Sequence, residues 1–335
     1  MVLGRLTAIA LAILSATGLV TASAAAPVEL GGTTCPIDFR APVANLDCLV
    51  AVPGGAVTLG GVLGVVERVA GGPSRFTYDA AGRLVRVDAV DGSHSYSFDD
   101  GGRLLMRVDS SGQTIRYAYD QLGRVTSAGS TQLVYTGDQL SRIVAADGTT
   151  TEYSYDGNGN LVAATDSSGE AVRFTYDPHR QVVGAATESG TITYTYDRQG
   201  KPASRTRLGI TTSFDYDRRG DLVRSVDSGG ETITYTYDRD GSLVLRTSRS
   251  GTATFAYGSG GRVTAATAPD GSRTDLAYDA LGHVATVVPE EGDEFLISFE
   301  NGDTQSPVAI GFLWPDHDSL TVNAQGRLKA CARCP

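Results

Sequence analysis

Residues Glu231-Thr232-Ile233-Thr234-Tyr235-Thr236-Tyr237-Asp238-Arg239-Asp240-Gly241-Ser242-Leu243-Val244-Leu245-Arg246 decide the fold. Ile233, Tyr235 and Tyr237 alternate with threonines, the period of two that sends successive side chains to opposite faces of a strand. β-Branched and aromatic residues suit such a pleated, half-buried surface. Asp238 then opens a turn and Gly241 closes it three residues later, the spacing of a type I turn followed by a residue of positive φ. A second strand follows, so the stretch reads as one β-hairpin.

The hairpin recurs along the chain. Tyr-Asp stands at Tyr78, Tyr119, Tyr155, Tyr176, Tyr196, Tyr216, Tyr237 and Tyr278, and Phe98-Asp99, Tyr135-Thr136, Tyr257-Gly258 and Phe299-Glu300 fill the gaps. These 12 aromatic anchors are 20 or 21 residues apart, with one step of 16 between Tyr119 and Tyr135. The residue two before each anchor is apolar or aromatic, from Phe76 to Ile297, and all 15 tyrosines fall in these two columns. Asp79 with Gly82, Asp120 with Gly123 and Asp238 with Gly241 repeat the turn; Gln139, Arg180 and Asp303 stand where its Gly would be. The alternation between 20 and 21 belongs to the second turn, and a 16-residue step that takes two residues from each strand keeps every side chain on its face. The expected fold is all-β, with about 24 short strands in tandem antiparallel hairpins. A sheet so wide must curl, spiral or close into a barrel-like shell, its Tyr/Leu face inward.

The copies Tyr78-Asp79-Ala80-Ala81-Gly82-Arg83-Leu84 and Tyr119-Asp120-Gln121-Leu122-Gly123-Arg124-Val125 resemble the YD repeats of the Rhs family, shared by bacterial toxin shells and animal teneurins. The resemblance spans residues 74–304. It implies a long curling sheet that spirals into a hollow shell, and, for function, a shell or carrier component of a toxin system. The chain departs from the family's large members. It has far fewer repeats, and Asp177-Pro178 is followed by His179-Arg180 and an uninterrupted repeat instead of a self-cleaving segment.

Composition agrees with a turn-rich β protein. There are 41 glycines in 335 residues, about 12 % against a usual ~7 %. The net charge of −10 and the lack of a basic patch argue against nucleic-acid binding. Residues 1–24 read as a secretory signal peptide: Arg5, an apolar run from Leu6 to Val20, and Ala22-Ser23-Ala24 for cleavage. An exported, extracytoplasmic protein is expected, with no membrane span after cleavage. Residues 25–73 are expected as an N-terminal cap or plug segment, 74–304 as the array, and 305–335 as a C-terminal cap with a degenerate half-repeat at Asn323 to Leu328.

Cys35 and Cys48 lie in the first cap and Cys331 and Cys334 in the last. In an exported chain they read as disulfides, paired either within each cap or across the two. No acid, base and nucleophile converge, and no cofactor or metal set is expected. Asp156-Gly157-Asn158-Gly159-Asn160 imitates a calcium loop, but Leu161 and Ser167 stand where Gly and Glu are needed. The arginines after the turn Gly, such as Arg83, Arg103, Arg124 and Arg262, either pair with the turn Asp or solvate the outer face, the second being the simpler reading. Trp314, Asp316, His317 and Asp318 form the best polar-aromatic cluster for a ligand contact. The function expected from these residues is non-enzymatic: a secreted scaffold that binds a glycan or cell-envelope protein.

Overall fold

A computed structural model describes residues 72–289 except 91 and 189, and outside that range the backbone of strands alone. Those outer strands are β1 (Thr33–Thr34), β2 (Leu49–Val52), β3 (Gly55–Thr58), β4 (Leu63–Ala70), β27 (Glu294–Glu300), β28 (Ala309–Phe312), β29 (Leu320–Val322) and β30 (Leu328–Ala330). Between them, 22 strands run from β5 (Ser74–Tyr78) to β26 (Val284–Val288) and form one closed antiparallel barrel in sequence order. Thr286 pairs with Arg75 and Val287 with Ser74, which joins the last strand to the first.

The sequence pattern counted twelve anchors, and the barrel uses eleven. The twelfth anchor strand, β27, leaves the barrel and pairs with β4 from Glu294–Ala70 to Glu300–Gly64. The two chains that close the barrel thus continue side by side into a second sheet of order β1-β2-β3-β4-β27-β28. Closure by β26 and β5 leaves no open edge for a twelfth hairpin to extend.

All the barrel's hairpins but that of Tyr135, which turns through Gly137-Asp138 between Thr136 and Gln139, share one backbone turn. The Asp79 N–H donates to the Arg83 carbonyl at 2.9 Å, and the Gly82 N–H to the Asp79 carbonyl at 3.0 Å. Asp79 Oδ1 accepts the N–H groups of Ala81 and Arg83, both at 2.9 Å. Gly82 has φ 80°, a backbone state that costs a residue with a Cβ ~1–2 kcal/mol. A register shift then follows beside the anchor, between Thr77 and Tyr78, a β-bulge that sharpens the local twist.

The far end of the hairpin explains the spacing. Four of the 20-residue steps close with a two-residue turn, as at Leu208-Gly209 between Arg207 and Ile210; the step from Tyr135 to Tyr155 places its two-residue turn at the near end, Gly137-Asp138, and turns through Ala145–Gly148 at the far end. A 21-residue step repeats the backbone turn of the near end, as where the Gly230 N–H donates to the Asp227 carbonyl, with Ala268 in the Asp position of the step from Tyr257 to Tyr278. The 16-residue step keeps the two-residue turn, Gly129-Ser130, between β10 (Val125–Ala128) and β11 (Thr131–Thr136). Against β18 (Pro202–Arg207) and β19 (Ile210–Tyr216), each flanking strand is two residues shorter relative to its anchor.

The apolar columns make one continuous core: Phe76, Tyr96, Tyr117, Tyr153, Phe174, Tyr235 and Phe255 with Leu84, Val87, Leu140, Leu243 and Val284 are all buried. The opposite face carries exposed Arg75, Arg86, Arg173, Arg224, Arg273 and Asp275 among Thr and Ser. A membrane-spanning barrel has the reverse arrangement, apolar outside and polar within. The buried columns therefore line the inside.

Candidate functional site

The anchors form a ring of cross-links near one rim. The hydroxyl of each anchor tyrosine donates to a backbone carbonyl of the preceding hairpin: Tyr119 to Leu104 at 2.6 Å, Tyr155 to Leu140 at 2.8 Å, Tyr237 to Leu222 at 2.8 Å, Tyr278 to Val263 at 2.7 Å. Tyr135, Tyr176, Tyr196, Tyr216 and Tyr257 do the same toward Val125, Leu161, Val182, Pro202 and Leu243. Tyr78 has no preceding hairpin in the barrel sequence, yet it donates to Val284 of the barrel's last one at 2.7 Å. The ladder therefore runs across the seam and is interrupted only at Phe98, which has no hydroxyl.

Burial pushes the Tyr119, Tyr135 and Tyr278 hydroxyls up to about 12. Burial also raises Tyr78, Tyr155, Tyr176 and Tyr257, with negative neighbours adding to it at Tyr78 (Asp279) and at Tyr257 (Asp238). These phenols stay neutral donors.

The arginines after the turn Gly do more than solvate the outer face. Arg83 Nε lies 2.7 Å from Asp79 Oδ2, Arg103 Nε 2.7 Å from Asp99 Oδ2, and Arg124 Nη2 2.7 Å from Asp120 Oδ2. Each guanidinium also stacks on the next anchor: Cζ is 5.1 Å from the Phe98 ring centre for Arg83, 4.9 Å from Tyr119 for Arg103, and 4.3 Å from Tyr135 for Arg124. Lys201 and Arg262 cover Tyr216 and Tyr278 in the same way. Burial works against the Asp79 carboxylate, but the Arg83 N–H and guanidinium outweigh it and hold the carboxyl below the ordinary range. At Asp99 the Arg103 backbone N–H leads, then its side chain, in the same direction.

At the seam the cation position holds His283. Its Nδ1 lies 2.9 Å from Asp279 Oδ2, and its ring centre is 4.8 Å from that of Tyr78. Asp156, first residue of the calcium-like stretch, serves its turn, with Oδ1 accepting the Asn158 and Asn160 N–H groups at 2.9 Å.

The structure thus places Tyr78, Tyr119, Tyr155, Tyr176, Tyr196, Tyr216, Tyr237 and Tyr278, with their turn Asp and Gly residues, in one wall. Cys35, Cys48, Cys331, Cys334, Trp314, Asp316, His317 and Asp318 lie outside the described residues, as do residues 1–24. Among the described residues no helix is long and apolar enough to cross a membrane.

Sequence reasoning missed the inward arginines. Register sets Arg107 between Tyr96 and Ile115, Arg205 between Tyr194 and Thr212, and Arg246 between Tyr235 and Ala253, all on the inner face. The signal is column position: each stands nine residues after its anchor, where Val87, Ala128 and Val287 stand in other hairpins. The outer wall from β17 (Gly190–Tyr196) to β23 (Gly251–Tyr257) carries rows of hydroxyls, with Thr195 and Ser204 joined at 2.7 Å and Thr247 and Thr252 at 3.0 Å.

Residues 123–254 match the Teneurin YD-shell family model, and residues 78–114, 98–132, 237–273 and 257–294 match the RHS Repeat model. Among solved structures, the chain is similar to one in the Photorhabdus luminescens Tc holotoxin pore, 13% identical, covering 84% of this chain and 21% of that one with a TM-score of 0.39. TcdB2–TccC3 gives 14%, 86%, 22% and 0.35. A porin-like protein from Bacteroides uniformis gives 12%, 69%, 97% and 0.28. The chain spans about a fifth of the length of the toxin chains it matches. No curated protein matches it.

Proposed function

This chain belongs to the YD-shell and RHS-repeat family, and on that premise we propose that it is an exported shell whose closed wall shields a short polypeptide segment on its inner face. The observation that carries this reading is the closure itself. The Tyr ladder passes from Tyr278 through Val284 to Tyr78 without an edge, with apolar columns inside and hydroxyls and charges outside. A shell or carrier component of a toxin system is the form of this reading that the family favours.

Size limits the content. The 22 strands at ~4.8 Å each give a ring roughly 34 Å across its backbone before strand tilt. A folded 100-residue domain has a radius of gyration of ~13 Å, and inward side chains on both walls leave no room for it. The content is therefore an extended segment or a small hairpin.

Native purification of the exported full-length protein, followed by limited proteolysis and mass spectrometry, tests the reading. A polypeptide outside residues 72–289 should survive digestion until the wall is unfolded. Survival of the wall alone would overturn it.

The exposed Thr and Ser rows support a second reading, a scaffold that binds glycan or a cell-envelope protein. Retention on envelope material that is lost when Thr193, Thr195, Thr234 and Thr236 are changed to Ala would favour it. Retention unaffected by those changes would count against it.

A further inference from the structure

The barrel is closed by a short ladder. β26 and β5 share two residue pairs, Thr286–Arg75 and Val287–Ser74. β22 (Leu243–Ser248) and β23 share four, and β13 (Thr150–Tyr155) and β14 (Leu161–Asp166) share five. β10 and β11 also share two, but the turn Gly129-Ser130 ties them covalently. No turn ties β26 to β5, so the seam depends on what its side chains add.

The side chain with most to add is His283. It is buried, with 3% of its surface exposed. Its Nδ1 lies 2.9 Å from Asp279 Oδ2, and its ring centre is 4.8 Å from that of Tyr78 across the seam. The same position, five residues after the anchor, holds Arg83, Arg103, Arg124, Lys201 and Arg262 in other hairpins, each with its charge over the next anchor ring. In one hairpin it holds Asn160, a neutral donor that reaches Asp156 Oδ2 at 2.8 Å. Histidine changes its charge between pH 5 and 8, a range in which arginine and lysine keep theirs.

The groups around the ring favour its cation. Burial works against the Asp279 carboxylate, but the His283 ring and N–H outweigh it and hold the carboxyl below the ordinary range. Tyr78 is a neutral phenol that donates to the Val284 carbonyl. Asp79, next to it, is taken up by Arg83 at 2.7 Å. Arg262 is the opposing charge, beside Gly282 and over the Tyr278 ring; Asp279, by contrast, bonds to the imidazole itself.

We propose that His283 is a pH-sensitive latch on the seam. Protonated, it makes a charge-assisted bond to Asp279 and sets a cation on the Tyr78 ring, as the fixed cations do at other anchors. Neutral, it keeps an ordinary hydrogen bond and loses the cation, and the seam becomes the loosest join of the wall. Acid tightens the barrel and a rise in pH loosens it, whatever the wall encloses.

Amide exchange of the full chain tests the latch at about pH 5.5 and about pH 8, expressed as protection factors to remove the intrinsic pH dependence of exchange. Protection in β5 and β26 should be about tenfold higher at the acid pH, with β13 and β14 changing less. Two variants copy residues that already occupy this position elsewhere. His283→Arg should keep the acid protection at both pH values, and His283→Asn the alkaline protection at both. Equal seam protection at the two pH values in the unmodified chain overturns the proposal. So does a pH response that survives in His283→Asn, which would belong to another group such as His94. The unmodified chain also gives a measurement that needs no variant. Ring nitrogen chemical shifts of His283 should change over the same pH interval as seam protection, and a seam that loosens in a different interval overturns the latch.

Discussion

An anchor tyrosine fills the core with its ring and satisfies a neighbour's carbonyl with its hydroxyl. Changing Tyr176 to Phe keeps the ring and removes the donor to the Leu161 carbonyl. A part-buried acceptor left without it costs about 1–3 kcal/mol, which a denaturant melt reads as a lower midpoint at unchanged slope. The reverse change exists at Phe98, the one gap in the ladder: Phe98→Tyr should gain about 1 kcal/mol by extending it toward Leu84. The raised phenol pKa values give a sign at high pH. Stability from neutral anchors is fully present below the ordinary phenol range near 10 and is lost as pH rises through about 12. Near-UV absorbance should show the ladder tyrosines ionising together with unfolding, and a gradual titration near the ordinary value would count against burial. The turn carboxylates act at the other end: held low in the fold, they stabilise it above the ordinary range near 3.9 and cease to as pH falls through their folded values.

At the scale of the hairpin, turn chemistry is strict and its exceptions are instructive. Leu208 has φ 49° ahead of Gly209 at 80°, the two positive-φ positions of a type I′ turn, which favours Asn-Gly. Leu208 is exposed, so no packing compensates. Leu208→Asn should therefore raise stability by about 1 kcal/mol, read as a higher midpoint in thermal unfolding. At Gly282, with φ 90°, the Arg262 guanidinium that stacks on Tyr278 occupies the space a Cβ would take. Gly282→Ala should displace that cation as well as strain the turn, with a loss exceeding the ~1–2 kcal/mol of strain alone. The turns were legible in the sequence because Asp79 and Gly82 act within four residues. Strand faces were legible because Phe76 and Tyr78 differ by two. The Tyr hydroxyl acceptors were not, because donor and acceptor belong to different hairpins and the pairing of β8 (Leu104–Val108) with β9 (Thr114–Tyr119) is what brings Tyr119 to Leu104. The Arg246 column was misleading for another reason: alternation places it inside, while charge predicts the surface.

The whole molecule differs from an open repeat array in having no end. Open arrays fray from terminal repeats, and their stability is a sum of nearest-neighbour terms. Here β26 holds β5 through Val287–Ser74 and Thr286–Arg75, and the Tyr78 hydroxyl reaches Val284. Periodicity revealed the units but could not say how many turn back to meet the first; pairing of β4 with β27 fixes that, since it brings the two ends of the array together. The ring should therefore unfold as one unit, and the seam is the place to test it. Val287 is buried at the seam, and Val182 is equally buried in β16 (Val182–Thr187), inside the array. An Asp at either site buries a carboxylate and destabilises the fold. Only at the seam does the loss also create two strand edges. Val287→Asp should turn a single sharp melt into a broad one, with amide exchange rising first in β5 and β26 and spreading inward from both. Val182→Asp should lower the midpoint and keep the transition sharp. Equal broadening in both variants would mean that the wall behaves as an open array whose end strands merely touch.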